Sequence, residues 1–121
     1  MHTVLIVDDE PLIRWAVREA LEDAGYRVVE AGSAREALTR IVDGDVVSVA
    51  LLDLRLPDSD DLSLLRRIRD VAPDCRVIVM TAYGTPELLS EAMTAGAFRT
   101  ISKPFDLFSI VGLVRAAEAI A

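Results

Sequence analysis

The sequence predicts a three-layer α/β domain in which helices cover both faces of a parallel β-sheet. Short apolar runs alternate with segments of helical period along the whole chain. Continuous apolar runs, unlike alternating ones, are typical of strands that are buried on both faces. Regular alternation of strand and helix predicts a parallel sheet whose strands are connected by helices. At 121 residues, 52% of them hydrophobic, the chain suits one domain with a sizeable core.

The five predicted strands differ in how clearly the sequence marks them. Three are apolar runs, at residues 4–7, at residues 46–52 with an interruption at Ser48, and at residues 77–80. A weaker strand is indicated by the valine pair at positions 28 and 29. A fifth strand near residues 100–102 is too short to be predicted from the pattern alone.

Turn and capping residues mark the first two helical segments. The first has Pro11 in its opening turn and ends before Gly25, which suits the position that follows a helix. The second opens with Ser33, has Glu36 three residues later in a capping-box pattern, and ends at Gly44. The residues expected to face the core from these segments are Ile13, Val17, Ala20, Leu21, Ala24, Ala37, Leu38 and Ile41.

The last three helical segments have similar markers. Pro73 ends the third, and the fourth has Thr85 as its cap, Pro86 at its first position and Gly96 at its end. Asp106 is the predicted N-cap of the fifth. Their apolar stripes comprise Leu62, Leu65, Ile68 and Ala72 in the third segment and Leu107, Ile110, Val111 and Val114 in the fifth.

Charge and composition exclude several classes of function. Thirteen Lys and Arg against twenty Asp and Glu give a net charge of -7, which argues against direct binding to nucleic acids or anionic membranes. Cys75 is the single cysteine, so neither an intramolecular disulfide nor a cysteine metal site is expected, and His2 is assigned no role. No leader pattern or stretch of about 18 apolar residues is present, which predicts a cytoplasmic protein.

Polar side chains follow four of the predicted strands at the point where each strand ends. Asp8 and Asp9 follow the first strand, Asp53 the third, Thr81 the fourth and Lys103 the fifth. In an open parallel sheet these ends share one edge, and ligands bind there. Each residue alone has an ordinary explanation, such as acids at a helix start, but their joint placement predicts a functional site.

Three carboxylates gathered at one edge require a compensating charge. Two carboxylates about 4 Å apart repel by about 4 kcal/mol at an effective dielectric constant near 20. Oxygen-only ligands point to Mg²⁺ or Mn²⁺ as the cation. With Lys103 as a positive charge, Thr81 as a hydroxyl donor and Asp53 as a nucleophile, the edge has the groups that phosphoryl transfer requires.

Four segments resemble the motifs of response regulator receiver domains of two-component signal transduction. They read VLIVDDE at 4–10, LLDLRLP at 51–57, MTA at 80–82 and SKPF at 102–105. The resemblance covers the whole chain and implies a single receiver domain over residues 1–121. It implies the flavodoxin-like fold, a doubly wound (βα)5 sandwich with strand order 2-1-3-4-5, for which a receiver protein is a standard example.

The resemblance also implies a role for each site residue. Asp53 would be the phosphoacceptor, and Thr81 and Lys103 would contact the phosphoryl oxygens. The metal ligands would be Asp9 and Asp53 directly, Asp8 largely through water, and the backbone carbonyl of Arg55. Arg55 and Tyr83 match positions that tune dephosphorylation, and a cis peptide is implied before Pro104. The chain would catalyse only its own phosphorylation and dephosphorylation.

The implied partners are a sensor histidine kinase or a phosphotransfer protein. An output domain or partner would use the face formed by the fourth helix, fifth strand and fifth helix, and phosphorylation-dependent homodimerisation is compatible with the family. The stretch 81–85 together with 53–57 is similar to receivers of enhancer-binding ATPase-type transcription regulators. Since no ATPase or DNA-binding domain occurs in the 121 residues, we expect a single-domain regulator or part of a longer protein.

Two positions depart from the family pattern. Thr100 stands where the family usually has a Tyr or Phe that reports phosphorylation; Phe98 is the nearby aromatic, and we expect it to be a core residue. Asp61 stands where the family favours Gly, which matters if that turn needs a positive φ.

These departures motivate an alternative, a receiver-like module that binds proteins without phosphorylation. An ordinary flavin or phosphatase enzyme is disfavoured because neither a GxGxxG nor a GxxxxGK[ST] motif occurs.

Overall fold

The computed structural model describes residues 3–44, 46–82 and 84–119 and contains five strands and five helices in strict alternation within them. The elements are β1 (Thr3–Val7), α1 (Pro11–Asp23), β2 (Arg27–Ala31), α2 (Ala34–Asp43), β3 (Val49–Asp53), α3 (Ser63–Val71), β4 (Arg76–Thr81), α4 (Pro86–Thr94), β5 (Arg99–Ser102) and α5 (Leu107–Ala119). All strand pairs are parallel and the order is β2-β1-β3-β4-β5. The predicted fold class and strand order are therefore confirmed.

Side chains of the central strands alternate between two cores, one on each face of the sheet. From β1, Val4 and Ile6 pack with α1 and α5, whereas Leu5 and Val7 pack with α2 and α3. Every residue of β1 and of β3 is buried. Burial on both faces explains why these strands read as continuous apolar runs.

The third strand begins later than the apolar run predicts. Pairing with β1 starts at Val4 and Val49. Just before it, the Ser48 N–H donates to the Thr3 carbonyl at 2.9 Å and the Ser48 carbonyl accepts from the Arg76 N–H at 3.0 Å. Val46 is 88% exposed and precedes the sheet. The prediction that the strand starts at residue 46 is therefore wrong. The apolar run begins before the first residue of β3 that pairs with β1, which is Val49.

The predicted helix caps are present. Ser33 Oγ accepts a hydrogen bond from the Glu36 N–H, and Thr85 Oγ1 accepts one from the Leu88 N–H, both at 3.1 Å. Asp106 Oδ1 accepts from the Ser109 N–H at 2.7 Å. These caps satisfy amide groups that have no partner within the first turn of a helix.

Two glycines end helices in the way the sequence predicts. Gly25 has φ +95° and Gly96 has φ +108°, and no described residue other than glycine has a positive φ. At these positions a side chain would be strained, so glycine allows the chain to leave α1 and α4 in the left-handed conformation.

The remaining sequence predictions for the fold concern α5 and Cys75. Ile110 and Val114 are buried as expected, but Leu107 is 38% exposed and lines a surface hollow beside α1, because it lies at the very start of the helix. Cys75 is buried, and burial raises the pKa of its thiol to about 12, which agrees with a packing role. Within the described ranges, no helix has the length and apolar character that crossing a membrane requires.

Candidate functional site

The polar residues predicted to converge do so at the carboxyl edge of the sheet. Asp8 directly follows β1, Asp53 and Thr81 are the last residues of β3 and β4, and Lys103 directly follows β5. Asp8, Asp53 and Thr81 are 0%, 5% and 1% exposed, whereas Asp9 is exposed. Because β1 lies beside β3 and β3 beside β4, neighbouring strands deliver the three buried groups to one place.

The ammonium group of Lys103 holds these carboxylates together. Its Nζ lies 2.7 Å from Asp8 Oδ2 and 2.9 Å from Asp53 Oδ2. Glu10 Oε1 is 3.5 Å away on the solvent side. The Lys103 side chain is 9% exposed, so one nearly buried cation stabilises two buried anions.

Backbone amides fix the second oxygen of each buried carboxylate. Asp8 Oδ1 accepts a hydrogen bond from the Glu10 N–H, and Asp53 Oδ1 accepts one from the Arg55 N–H, both at 2.9 Å. Each carboxylate therefore faces Lys103 with one oxygen and binds the backbone two residues further on with the other. This arrangement limits the rotation of both carboxylates before any ligand arrives.

Four acidic residues lie close enough to share one cation. Asp8, Asp9, Glu10 and Asp53 each offer a carboxylate oxygen, and these oxygens lie within 4.8 Å of one another. Sequence reasoning assigned no metal role to Glu10, although its position directly after the Asp8-Asp9 pair could have indicated it. A donor set of oxygens alone, on a partly exposed cluster, suits Mg²⁺ or Mn²⁺.

The acidic cluster opens into a cavity of about 310 Å³ at the surface. It is lined by Asp9, Glu10, Asp53, Arg55, Ala82 and Lys103. The predicted acceptor, the predicted lysine and part of the predicted metal set therefore face the same space, which has room for a cation and a small anion.

Two site residues, Asp8 and Lys103, have pKa values that are raised above their ordinary range. Burial raises the pKa of the Asp8 carboxyl above its ordinary range, although the hydrogen bond from Lys103 opposes the shift. Burial lowers the pKa of the Lys103 ammonium, but hydrogen bonds and charges from Asp8 and Asp53 outweigh it, so this pKa is raised. Lys103 therefore remains charged throughout the neutral range.

Thr81 is held beside Lys103 through the backbone. The Thr81 carbonyl accepts a hydrogen bond from the Lys103 N–H at 2.9 Å, and Thr81 pairs with Ser102 across β4 and β5. The peptide bond between Lys103 and Pro104 is cis, as the sequence resemblance implied. The ends of β4 and β5 are thus fixed relative to each other next to Asp53.

Residues 4–115 match the family model described as the response regulator receiver domain. This chain belongs to that family. Receiver domains are signalling phosphoacceptors, generally not enzymes, that bind Mg²⁺ at an acidic pocket and accept phosphoryl groups from histidine kinases or phosphotransfer proteins. The chain is homologous to the phosphoacceptor domains of two-component response regulators.

Similar proteins include both single receivers and longer regulators. The chain is 35% identical over 112 residues to sporulation initiation phosphotransferase F of Bacillus subtilis, covering 93% of the chain and 90% of that protein. It is 36% identical over 115 residues to the DNA-binding transcriptional regulator NtrC of Azospirillum brasilense. That match covers 95% of the chain but 24% of NtrC, so the chain spans about a quarter of this relative.

Solved receiver structures superpose closely on this receiver. A CheY-like receiver domain protein from Methanospirillum hungatei matches with a TM-score of 0.94 and 29% identity, covering 99% of this chain and 95% of that one. The beryllofluoride-activated NtrC4 receiver domain dimer matches with a TM-score of 0.93 and 32% identity, covering 99% and 98%.

The two departures from the receiver pattern have different consequences. Asp61 does not adopt a positive φ, so the conformational reason for glycine does not apply to it. Its Oδ1 instead accepts hydrogen bonds from Ser63 N–H at 2.9 Å and Ser63 Oγ at 2.5 Å, at the start of α3.

Thr100 is half-buried in β5, and Phe98 packs against the core on the α1 and α5 side as expected. Tyr83 lies outside the described residues.

A carboxylate that sequence reasoning missed attaches the loop after Asp53 to α2. Asp58 Oδ1 accepts from the Ala34 N–H at 2.8 Å, and Oδ2 accepts from the Arg35 N–H at 3.0 Å. These bonds lower the pKa of the Asp58 carboxyl below its ordinary value. Because Asp58 and its partners are more than 20 positions apart, no local sequence pattern could have indicated the contact.

We expect Asp58→Asn to lower the melting temperature at neutral pH, because it removes the charge that binds the start of α2. An acid whose pKa is lowered by folding stabilises the fold above its ordinary value of 3.8, and this contribution disappears as the pH falls through the lowered value. The difference in melting temperature should therefore shrink in acid. Asp60→Asn, at an exposed position in the same loop, is the matched control; an equal effect there would contradict the assignment.

Proposed function

We propose that residues 1–121 form one receiver domain that accepts a phosphoryl group on Asp53 from a phosphohistidine of a sensor kinase or phosphotransfer protein. The observation that supports this most is the setting of Asp53. Its carboxylate is 5% exposed, lies 2.9 Å from the Lys103 ammonium, and lines the acidic cavity at the edge of the sheet. A nucleophile, a fixed positive charge and a cation site thus share one space.

The proposed transfer exchanges one phosphorus bond for another. A carboxylate oxygen of Asp53 attacks the phosphorus, the bond from phosphorus to the donor imidazole nitrogen breaks, and its electron pair returns to the imidazole. Lys103 is already within hydrogen-bond distance of Asp53 and would bind an oxygen of the attached phosphoryl group. The Thr81 hydroxyl would donate to another oxygen. Bound Mg²⁺ would supply positive charge for the phosphoryl oxygens.

For the metal we propose Asp9, Asp53 and the Arg55 backbone carbonyl as direct ligands, with Asp8 acting through water. Support comes from the positions of the two neighbouring acids. Asp8 has no exposed surface and is held by Lys103 and the Glu10 N–H, whereas Asp9 is exposed and lines the cavity. Mn²⁺ suits the same oxygen donors.

The response is proposed to involve transcription, because NtrC relatives are named DNA-binding transcriptional regulators. The surface formed by α4, β5 and α5 would bind an output domain or partner. Phosphorylation-dependent homodimerisation is proposed by analogy with the activated NtrC4 receiver dimer. Arg55, which is exposed beside Asp53, and Tyr83 would tune autodephosphorylation. Cytoplasmic location stays a prediction.

The proposal is tested by incubating the protein with acetyl phosphate and Mg²⁺ and mapping the modified residue by mass spectrometry. We expect an acid-stable, base-labile phosphoryl group on Asp53 that fails to form without a divalent cation. Asp53→Ala should not be modified, and Asp60→Ala, at an exposed position seven residues on, should be modified normally.

Labelling that persists in Asp53→Ala would reject the assignment. A folded wild-type protein that neither binds Mg²⁺ nor accepts phosphoryl groups would favour the alternative, a receiver-like module that binds proteins without phosphorylation. The similar proteins give that alternative no support.

A further inference from the structure

The guanidinium of Arg14 connects the acidic site to the neighbouring strand β2. Arg14 Nη1 donates to the backbone carbonyl of Asp8 at 2.6 Å, and Arg14 Nε donates to Glu30 Oε1 at 3.3 Å. The Arg14 side chain is 22% exposed and that of Glu30 is 28% exposed. Neither residue lines the cavity into which the acidic cluster opens. Arg14 therefore contacts the backbone of the site and not its ligand space.

The hydrogen bond from Arg14 to the Asp8 carbonyl also holds the backbone amide of Asp9. The carbonyl of Asp8 and the amide of Asp9 belong to the same planar peptide unit, so fixing one fixes the other. On the other side of Asp8, its N–H donates to the Ala31 carbonyl at 3.1 Å. Because both peptide units that flank Asp8 are held, the position of the Asp9 Cα is set, and the Asp9 carboxylate is left with rotation about its N–Cα bond and the rotations of its own side chain.

The guanidinium is itself held in place. Glu30 binds Arg14 through one oxygen, and its other oxygen lies 2.6 Å from Arg18 Nη1. A Cβ atom at Gly32 would lie 3.2 Å from Arg14 Nη1, closer than most real contacts, so the glycine leaves space for the guanidinium. The planar guanidinium donates to two acceptors, Glu30 Oε1 and the Asp8 carbonyl, at a set angle. Arginine provides this geometry and lysine does not.

We propose that Arg14 is a positioning residue for the divalent cation, acting through the Asp8 carbonyl to orient Asp9. This rests on the proposed function of the site. The sign of its effect separates positioning from simple electrostatics. Arg14 carries a positive charge near a cation site, so removing it should tighten cation binding if charge alone mattered. If Arg14 positions Asp9, its removal should weaken binding.

The test is the Mg²⁺ dissociation constant measured by isothermal titration calorimetry, with urea unfolding in the absence of Mg²⁺ as a separate measure of the fold. We expect Arg14→Ala to weaken Mg²⁺ binding about tenfold, as residues that orient metal ligands typically do. Arg14→Lys should be weakened similarly. Arg40→Ala is the matched control, because it removes the same charge from a residue that binds the backbone carbonyl of Glu30 and not its carboxylate, and it should change the affinity less than about twofold.

A double-mutant cycle identifies Asp9 as the residue through which Arg14 acts. In an Asp9→Ala background, which removes the carboxylate that Arg14 is proposed to orient, the effect of Arg14→Ala should disappear. An unchanged or tighter Mg²⁺ affinity in Arg14→Ala, or the same loss in both backgrounds, would overturn the proposal. If the alanine variant does not fold, Arg14→Lys and Glu30→Gln give the same comparison. If the wild-type protein binds no Mg²⁺, the proposed function and this inference are overturned together. If the wild type binds Mg²⁺ and Arg14→Ala binds it equally well, only the inference is overturned.

Discussion

Replacing Lys103 with methionine is expected to lower the free energy of unfolding by about 3–5 kcal/mol at neutral pH. Lys103 lies 2.7 Å from Asp8 and 2.9 Å from Asp53, whose side chains are 0% and 6% exposed. Methionine fills a similar volume but leaves two buried carboxylates without their shared cation. The cost of an uncompensated buried charge is what makes the expected effect large.

The pH dependence of this loss follows from the two raised pKa values. Lys103 stabilises the fold below its ordinary pKa of 10.5, and this contribution is lost as the pH rises through the raised value. Asp8, whose pKa is also raised, favours the fold in its protonated form, below its ordinary value of 3.8, and this advantage is lost as the pH rises. The difference between wild type and Lys103→Met should therefore be largest around neutral pH and shrink in acid.

Urea unfolding at neutral and acidic pH, with and without Mg²⁺, measures both effects. Lys103→Arg keeps the charge and should lose less stability than Lys103→Met. Added Mg²⁺ should restore part of the loss, because it supplies positive charge to the same carboxylates. Equal stability of Lys103→Met and wild type at neutral pH would show that the ion pairs contribute little to the fold.

The sequence predicted the central part of the sheet better than its edges. β1 and β4 are buried on both faces, so apolar runs mark them directly. β5 is a four-residue edge strand in which no residue is fully buried. Its sequence therefore lacks the apolar run that marks the central strands. At the start of β3, the exposed Val46 shows that apolar character does not decide where pairing with a neighbouring strand begins.

The site was predictable to the extent that strand ends position it. Asp8, Asp53, Thr81 and Lys103 lie at strand ends, and the order of strands alone brings them together. Contacts of Asp58 and Arg14 depend on how side chains cross between loops and helices. Arg14 and Glu30 are 16 positions apart, so no short sequence motif contains both residues or predicts their contact. Such supporting contacts require the three-dimensional structure.

Phosphorylation changes the charge that Lys103 must compensate. The proposed phosphoryl group would carry about 1.5 to 2 negative charges at neutral pH, in place of the single charge that the Asp53 carboxylate loses. Lys103 already binds Asp8 and Asp53, so one ammonium group cannot neutralise the added charge alone. A neutral hydroxyl donor would stabilise a further phosphoryl oxygen, and we propose that Thr81, which ends β4 beside Lys103, provides it.

Replacing Thr81 with valine is therefore expected to slow phosphorylation of Asp53 by acetyl phosphate about 10²–10³-fold, the usual effect of removing one donor that stabilises developing negative charge. Valine keeps the branched shape, which matters because Thr81 is 1% exposed at the end of β4. Mg²⁺ affinity should not change, because the hydroxyl is proposed to bind the phosphoryl group and not the metal.

Thr81→Ser separates the hydroxyl from the shape of the side chain. Serine keeps the donor and removes a methyl group, so phosphorylation should stay close to the wild-type rate if the hydrogen bond is what matters. Rates measured under saturating Mg²⁺ by mass spectrometry would distinguish the variants. If Thr81→Val and Thr81→Ser were slowed equally, packing at the end of β4 would be responsible.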